Sequence, residues 1–538
     1  MRTLKILLML LILTGSFNFL YCQEWIKTFS GNQDIIPKQL IETYDKGYIL
    51  GANFSWSGYQ RKGWIIKTDI NGDILWEKKL GIGATIWSLT GFDKTSEGGF
   101  VISGITDTLD NSKDAFVTKL NSCGEVDWCR IFHYGDDPDY GIKILTLQDN
   151  TYILLLHNWG CEDKETVWLM HLDETGFILW EQEYFPNDTL GYPLYENDIS
   201  LTPDSKSLVT GTCYHTIAGQ TQPFWLWPML ILVDSTGEAV FELPWGYTLP
   251  FPEQVGGEGF QSIQNNNVIY SCISNYHGPD PDYAPCLIKT SLSGISQYFK
   301  DLISGTAYGK ASTITGISDT VLFIGLGYAY SLTDSYTSVI KTDTLGIVYK
   351  EKILNNSEYY PIDALLTADN KYLITAPDYV NNHYIFYLWK LNLDLDFDSI
   401  YTQPRVYDSL CPDSITSGTL FFQCDVTTGL QEPVKNTEKV RMHIFPNPAR
   451  EIIHVEMPEC LQKETKTEHL TVTTIFHKWN KPMQLEVFDY FGKLIYSQTV
   501  HPSEKEISLD VSGWNPGMYF FRLIYGDTMV ASEKVVVD

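Results

Sequence analysis

The chain has 538 residues, enough for two or more domains, and with 44% hydrophobic and 14% aromatic residues it carries core material that excludes a disordered protein. Acidic residues outnumber basic ones by 66 to 38, and a formal charge of -28 repels phosphate backbones and anionic lipid, so nucleic acid is excluded as an expected partner.

In chain order, residues 1–22 read as a secretory signal: Arg2 and Lys5, an apolar run from Ile6 to Leu13, then small and mixed residues up to Cys22. Tyr21 is too bulky for a lipoprotein cleavage site, so the mature chain is expected to start near Gln23. No later apolar run approaches the ~20 residues that span a bilayer, so no transmembrane helix is expected in the mature chain.

From residue 23 to about 405 one element returns about every 52 residues: Asp or Asn, three positions to Gly, four more to an aromatic. It reads Asp69–Gly72–Trp76, Asn121–Gly124–Trp128, Asp173–Gly176–Trp180 and Asp234–Gly237–Phe241, with eroded copies at Ser291–Gly294–Tyr298, Asp343–Gly346–Tyr349 and near Asp394 to Ile400. Asp or Asn hydrogen-bonds the backbone ahead of it and Gly accepts a positive φ, so each copy is a hairpin turn. β-rich runs precede each turn, such as Gly99 to Gly104 and Trp168 to His171, without helical periodicity. One such unit cannot bury its own apolar faces, so the units stack. Seven units of four strands closing into a ring are expected, each propped on the next by the aromatic of its outer strand. The mature start, Glu24-Trp25-Ile26-Lys27, looks like Leu75-Trp76-Glu77-Lys78 with no complete unit before it. It is expected to complete the last sheet and remove open edges, in competition with Asp398 to Tyr401.

This region resembles the kelch-like and quinoprotein-like propeller families, whose repeats also place a Gly turn before an outer-strand Trp. The Cys-Cys pair of quinoprotein dehydrogenases is missing, and sialidase repeats place Asp two residues before Gly rather than three. The resemblance therefore implies a seven-bladed β-propeller and no activity.

The face shared by inter-blade loops and by loops between second and third strands is expected to bind ligands, and it is rich in aromatics. Trp56, Trp159, Trp225, Trp227 and Tyr276 are its leading candidates, with Tyr283, Tyr328, Tyr330, Tyr379 and Tyr384 among the others. Aromatic faces beside carboxylates suit sugars, peptides or cationic groups, and equally well pack on one another without a ligand. The runs Asp136-Asp137-Pro138-Asp139 and Asp280-Pro281-Asp282 read as solvated acidic turns rather than Ca²⁺ sites. No phosphate loop, zinc spacing or nucleophile elbow occurs, so no catalytic residue, metal or cofactor is assigned. Nine cysteines remain after processing, and the expected bridges are local: Cys411 with Cys424, and Cys123 with Cys129. Small buried apolar cysteines are the alternative.

Residues 406–440 read as a linker containing the possible Cys411–Cys424 bridge. Beyond it, residues 441–538 resemble the C-terminal (type A) sorting domain of type IX secretion substrates, an immunoglobulin-like β-sandwich. The resemblance is carried by Ile444-Phe445-Pro446-Asn447-Pro448-Ala449, by Leu485 to Asp489 with Gly492-Lys493, by Gly517-Met518-Tyr519-Phe520, and by Lys534 to Val537. Alternating apolar residues from Ile452 to Phe521 fit half-buried strands. The polar insertion from Glu459 to Pro482 is expected as an exposed loop. The resemblance implies the type IX machinery as a partner and a secreted or outer-surface location reached through the periplasm. The expected function is recognition of a glycan or protein by a monomeric, non-enzymatic propeller. The alternative is an extracellular hydrolase or lyase acting on polysaccharide with carboxylates at the channel mouth.

Overall fold

The computed structural model describes residues 24–538 except 57–59, 82–84, 108–112, 134–138, 161–163, 185–193, 216–224, 245–257, 278–281, 307, 332, 358, 429–441, 457–461, 468–469, 476–482, 490–492, 502–503 and 526–527. The expected signal segment lies outside them. No helix occurs among the described residues; every regular element is a strand.

Blade one runs through Asp34–Glu42, Tyr48–Trp56, Gln60–Thr68 and Ile74–Leu80, each antiparallel to the one before. The same four-strand order repeats from Trp87, Asp139, Leu194, Gly259 and Tyr308. Blade seven has three strands of its own, Asp363–Leu366, Tyr372–Val380 and His383–Leu391, and borrows Ile26–Phe29 as the fourth, antiparallel to His383–Leu391. Seven four-stranded sheets result, the first two joined by a bridge between Lys62 and Trp87. Each inner strand lies against the next, and that of blade seven against that of blade one, so the chain is an all-β propeller. Asp398 to Tyr401 does not displace the N-terminal strand: Trp25 N–H donates to the Asp398 carbonyl, and the segment passes beside it.

The recurring turn supports both the hairpin and the stack. In blade one the Asp69 carboxylate accepts the N–H groups of Asn71 and Asp73 (both 2.8 Å), and Gly72 stands at φ 78°. A Cβ on Gly72 would sit 2.9 Å from the Trp25 ring; on Gly176, 2.6 Å from Trp128; on Gly237, 3.1 Å from Trp180. The glycine is thus required twice over, by its dihedral and by the indole of the preceding blade. Trp25 is fully buried and its indole N–H donates to the Ile70 carbonyl at 3.1 Å, as Trp128 does to Glu174 at 3.1 Å. Burial of such a ring contributes about 4–6 kcal/mol before entropy. At the base of blades one, two, three and seven the last basic side chain of the third strand reaches the turn between the first two. Lys67 meets Asp45 at 2.6 Å, Lys119 meets Glu97 at 2.9 Å and Lys390 meets Asp369 at 3.2 Å; blade three has His171 on Thr151 at 2.7 Å.

The first part of the expected linker is a strap over blades one and two. Tyr401 N–H donates to Asn71 (2.7 Å), Ile70 N–H to the Tyr407 hydroxyl (3.0 Å) and the Trp76 indole to Asp408 (3.0 Å). Gly418–Leu420 then pairs parallel with Ile74–Leu80, Phe422 stacks on Trp87, and Asp425–Thr428 pairs parallel with Val126–His133. This path overturns the local disulfides. Cys411 bonds Cys123 and Cys424 bonds Cys129, because the extended strap carries each cysteine to a different point on blade two, one at the Gly124 turn and one further along the strand. Cys272 and Cys286 are free buried thiols whose strand positions alternate, which places them on opposite faces of blade five.

Past residue 441, one sheet holds His443–Phe445, Ile452–Glu456 and Glu506–Asp510, and another holds Leu494–Val500, Met483–Asp489, Gly517–Tyr525 and Thr528–Val537. Ile453, Val455 and Leu509 of the first share a single core with Leu485, Val487, Phe521 and Val535 of the second. The insertion expected as a loop contains a hairpin, Gln462–Thr467 with Leu470–Ile475.

Candidate ligand-binding face

Loops entering each inner strand and hairpins joining second to third strands meet at one end of the propeller. Trp56, Trp159, Trp225, Trp227 and Tyr276 all stand at such hairpin ends, in register with Gln60, Glu165, His215, Cys213 and Tyr283. Their side chains lie outside the described residues, as do those of the Asp136-Asp137-Pro138-Asp139 and Asp280-Pro281-Asp282 runs.

The described part of this face spans blades five to seven and is a shelf of tyrosines. In blade seven the hairpin turns through Asn381 and Asn382, both at positive φ, a two-residue turn that matches strand twist. It sets Tyr379 opposite Tyr384, with ring centroids 5.0 Å apart. Tyr359, from the connection entering blade seven, packs on Tyr384 at 5.6 Å and donates its hydroxyl to the Tyr384 hydroxyl at 3.3 Å. Thr337 of blade six donates to the Tyr359 carbonyl, which fixes that connection. Blade six contributes Tyr328, Tyr330 and Tyr336 in mutual contact at 5.5 to 6.5 Å. The Tyr328 hydroxyl donates to Glu351 at 2.8 Å and that of Tyr336 to Asp334. Burial first, then the Glu351 contact, pushes the Tyr328 phenol well above its ordinary range.

Between blades five and six Lys310 lies in an aromatic box. Its ammonium is 4.9 Å from the Phe260 ring, 5.0 Å from Tyr360 and 5.7 Å from Tyr308, and it pairs with Glu258 at 2.5 Å. Burial opposes its charge, but Glu258 outweighs burial and holds its pKa above the ordinary lysine value. Tyr360 fits there because blade six has Gly327 beneath it: a Cβ at that position would stand 2.6 Å from Tyr360. Tyr308, Tyr330 and Tyr379 expose 36, 44 and 49% of their surface, so the shelf is open to solvent.

The channel has a different chemistry. Inner strands of blades one to six each bulge, after Pro37, Leu89, Gly141, Glu196, Gly259 and Ala311, with a second bulge after Gly316 in blade six. Residues beyond the bulge tie neighbouring blades together. Gln39 accepts Phe92 N–H (2.9 Å), Gln261 accepts Ile314 N–H (2.7 Å), and Asp363 accepts Leu40 N–H (2.8 Å) across the ring closure. Lys143 pairs with Asp198. Burial pushes the Asp363 carboxyl up to about 6, partly offset by Lys143. These groups act chiefly as a girdle between blades.

In the C-terminal region the sorting-type residues meet in space. Asn447 accepts Val536 N–H at 2.9 Å and donates to the Lys534 carbonyl at 3.1 Å, beside the cis bonds before Pro446 and Pro448. Asp489 accepts Lys493 N–H at 2.9 Å to close a hairpin, and the Tyr519 hydroxyl donates to the Asn515 carbonyl at 2.8 Å. Gly517 opens the strand that pairs with the terminal one, in register with Val537; Gly492 lies outside the described residues.

Sequence reasoning pointed to Tyr283, Tyr328, Tyr330, Tyr379 and Tyr384 but missed Glu258, Phe260, Tyr308, Lys310, Tyr336, Tyr359 and Tyr360. A signal was available: these residues open inner strands or hairpins, positions that belong to the same face.

Residues 443–538 match the family described as the secretion system C-terminal sorting domain. The chain is therefore a type IX secretion substrate, exported to the outer cell surface or the extracellular space. Among solved structures it is similar to a protein of unknown function from Dyadobacter fermentans (9% identity, 68% of this chain and 97% of that one, TM-score 0.39). It is also similar to the β-propeller domain of the Trilobed protease from Pyrococcus furiosus (9%, 69% and 100%, 0.39) and to YCF48 from Cyanidioschyzon merolae (8%, 69% and 99%, 0.39). No curated protein matches the chain at a significant level.

Proposed function

We propose that this exported chain is a recognition protein: residues 23–405 form a binding module for a glycan or protein, and residues 441–538 form a separate domain that addresses it to the cell surface. The observation that carries this reading is the solvent-open tyrosine shelf, with Tyr308, Tyr330 and Tyr379 exposed, one in each of three ring groups on blades five to seven. Large rings left exposed in contact with one another suit a ligand, because they bring area at small cost in side-chain entropy. Printed arrays of glycans and peptides, probed with the wild type and with Tyr330→Ala/Tyr379→Ala, test it. Features bound by the wild type and lost in the double variant support it; identical binding by both, or binding to no feature, counts against it. Deleting residues 441–538 is expected to hold the protein in the periplasm.

The hydrolase or lyase reading has one observation in its favour, a carboxyl at Asp363 raised to about 6 near the Lys143–Asp198 pair. Its oxygen is, however, committed to Leu40 N–H. Turnover of a polysaccharide that Asp363→Asn abolishes without a change in melting temperature would favour that reading instead.

A further inference from the structure

The shelf contains, at one place, a cation already bound. Lys310 faces three rings and one carboxylate, and all of its partners lie on the ligand end of the propeller. Over blade seven the same ingredients, tyrosine rings beside carboxylates, recur. Tyr359, Tyr384 and Tyr379 form a contiguous aromatic group, with Tyr379 about half exposed. Asp34 stands at its edge, accepting Tyr384 N–H at 2.9 Å while its side chain keeps 42% of its surface in solvent, with His383 at 3.7 Å. Asp378, adjacent to Tyr379, is held by Asn355 at 2.7 Å and Ser357 at 3.0 Å. Next to this group, the Tyr328 and Tyr336 hydroxyls donate to Glu351 and Asp334, which adds negative potential to those rings.

On the shelf Asp34, Glu258, Asp334, Glu351 and Asp378 are carboxylates; Glu258 neutralises Lys310, and Arg61, exposed in blade one and in register with Asp34 through Ser55, is a further cation at this end, so carboxylates remain in excess. An aromatic surface of this sign attracts ammonium and guanidinium groups through the ring quadrupole and repels phosphate and acidic peptides. A neutral sugar would gain stacking and hydrogen bonds from its hydroxyls to the carboxylates, but only a cation adds Coulombic attraction and the pull of the ring quadrupole. We infer that the tyrosine group of blade seven receives a lysine or arginine side chain of a protein partner, as the neighbouring box receives Lys310. This rests on the recognition reading above and names its ligand class.

The test uses the full mature chain and three probes: a fluorescein-labelled peptide of alternating Gly and Lys, its Gln-for-Lys counterpart, and a labelled neutral cello-oligosaccharide. The expected result is binding of the lysine peptide alone, weakening as salt rises, and roughly tenfold weaker in Tyr379→Ala but retained in Tyr379→Phe, the scale of one desolvated cation–π contact. Asp34→Asn should weaken it as well. Equal binding of the lysine peptide by wild type and Tyr379→Ala would mean attraction by net charge alone and would overturn the inference. If the oligosaccharide or Gln peptide binds as well as the lysine peptide and depends on Tyr379, the shelf is a ligand face but the cationic inference fails. If no probe is affected by Tyr379→Ala or Tyr330→Ala, both readings fail. Melting curves of each variant identify any that does not fold, in which case Tyr384→Ala supplies the ring-deletion arm.

Discussion

Blades one and two and blades five to seven are built from the same repeat and finished in opposite ways. The first pair has its outer edges sealed: two parallel strands from the strap, two disulfides and the Trp87–Phe422 stack cover what would be open sheet. Blades five to seven instead leave aromatic side chains in solvent at the loop end. The difference teaches that the repeat specifies the scaffold, and that local additions decide whether a surface is closed against solvent or left open to it.

The comparison can be broken first at the strap. The bridges join residues separated by 288 and 295 positions, so loop closure gives about 6 kcal/mol for the first formed. The second adds about 3, because its ends are then linked by a much shorter loop. Replacing all four cysteines by serine should lower the denaturant midpoint by the largest amount of any change considered, with blades five to seven unaltered in binding. Next comes the ring closure. Trp25→Ala removes a fully buried indole and its bond to Ile70, and should cost about 3–5 kcal/mol in chemical denaturation. A loss under about 1 kcal/mol would mean that the N-terminal strand is dispensable to the ring.

The third concerns the base of the blades, where His171 replaces the lysine of blade one. Burial holds its pKa at about 4, below the ordinary 6.5, although Asp149 pulls the other way. The unfolded chain takes up the proton first as pH falls, so stability is complete above about 6.5 and about 3 kcal/mol is lost by about pH 4. Asp363 acts with the opposite sign: its raised folded value favours the native state at low pH and loses that contribution as pH rises to about 6. Subtracting the profile of His171→Gln from the wild type cancels Asp363 and isolates the histidine; a flat difference between pH 4 and 6.5 would contradict its assignment as a neutral buried group. The smallest stability effect belongs to the open face, where Tyr379→Ala should change stability by no more than about 0.5 kcal/mol in the same denaturation experiment.

Much of the scaffold was legible because its causes are local. Asp69, Gly72 and Trp76 announce a turn and a stacking ring within eight consecutive residues, and Trp25 betrayed the closure by resembling Trp76 without a unit of its own. The sorting region was legible for the same reason, as Pro446-Asn447-Pro448 is a contiguous signature. Contacts that span the ring were not. Cys411 finds Cys123 because the strap crosses two blades, and no spacing encodes that path. Lys310 gathers Phe260 and Tyr360, each about 50 positions away on a different blade, and the bulges that aim Gln39 and Gln261 at the next sheet leave no mark in the hydrophobic pattern.

The most direct measurement compares two variants on the same binding array: the four-cysteine serine variant, assayed below its melting temperature, and Tyr330→Ala/Tyr379→Ala. The predicted result is that the unstrapped protein binds the same features as the wild type while the tyrosine variant, folded and equally stable, loses them. Loss of binding on unstrapping with full retention in the tyrosine variant would place the ligand surface on blades one and two and contradict the account.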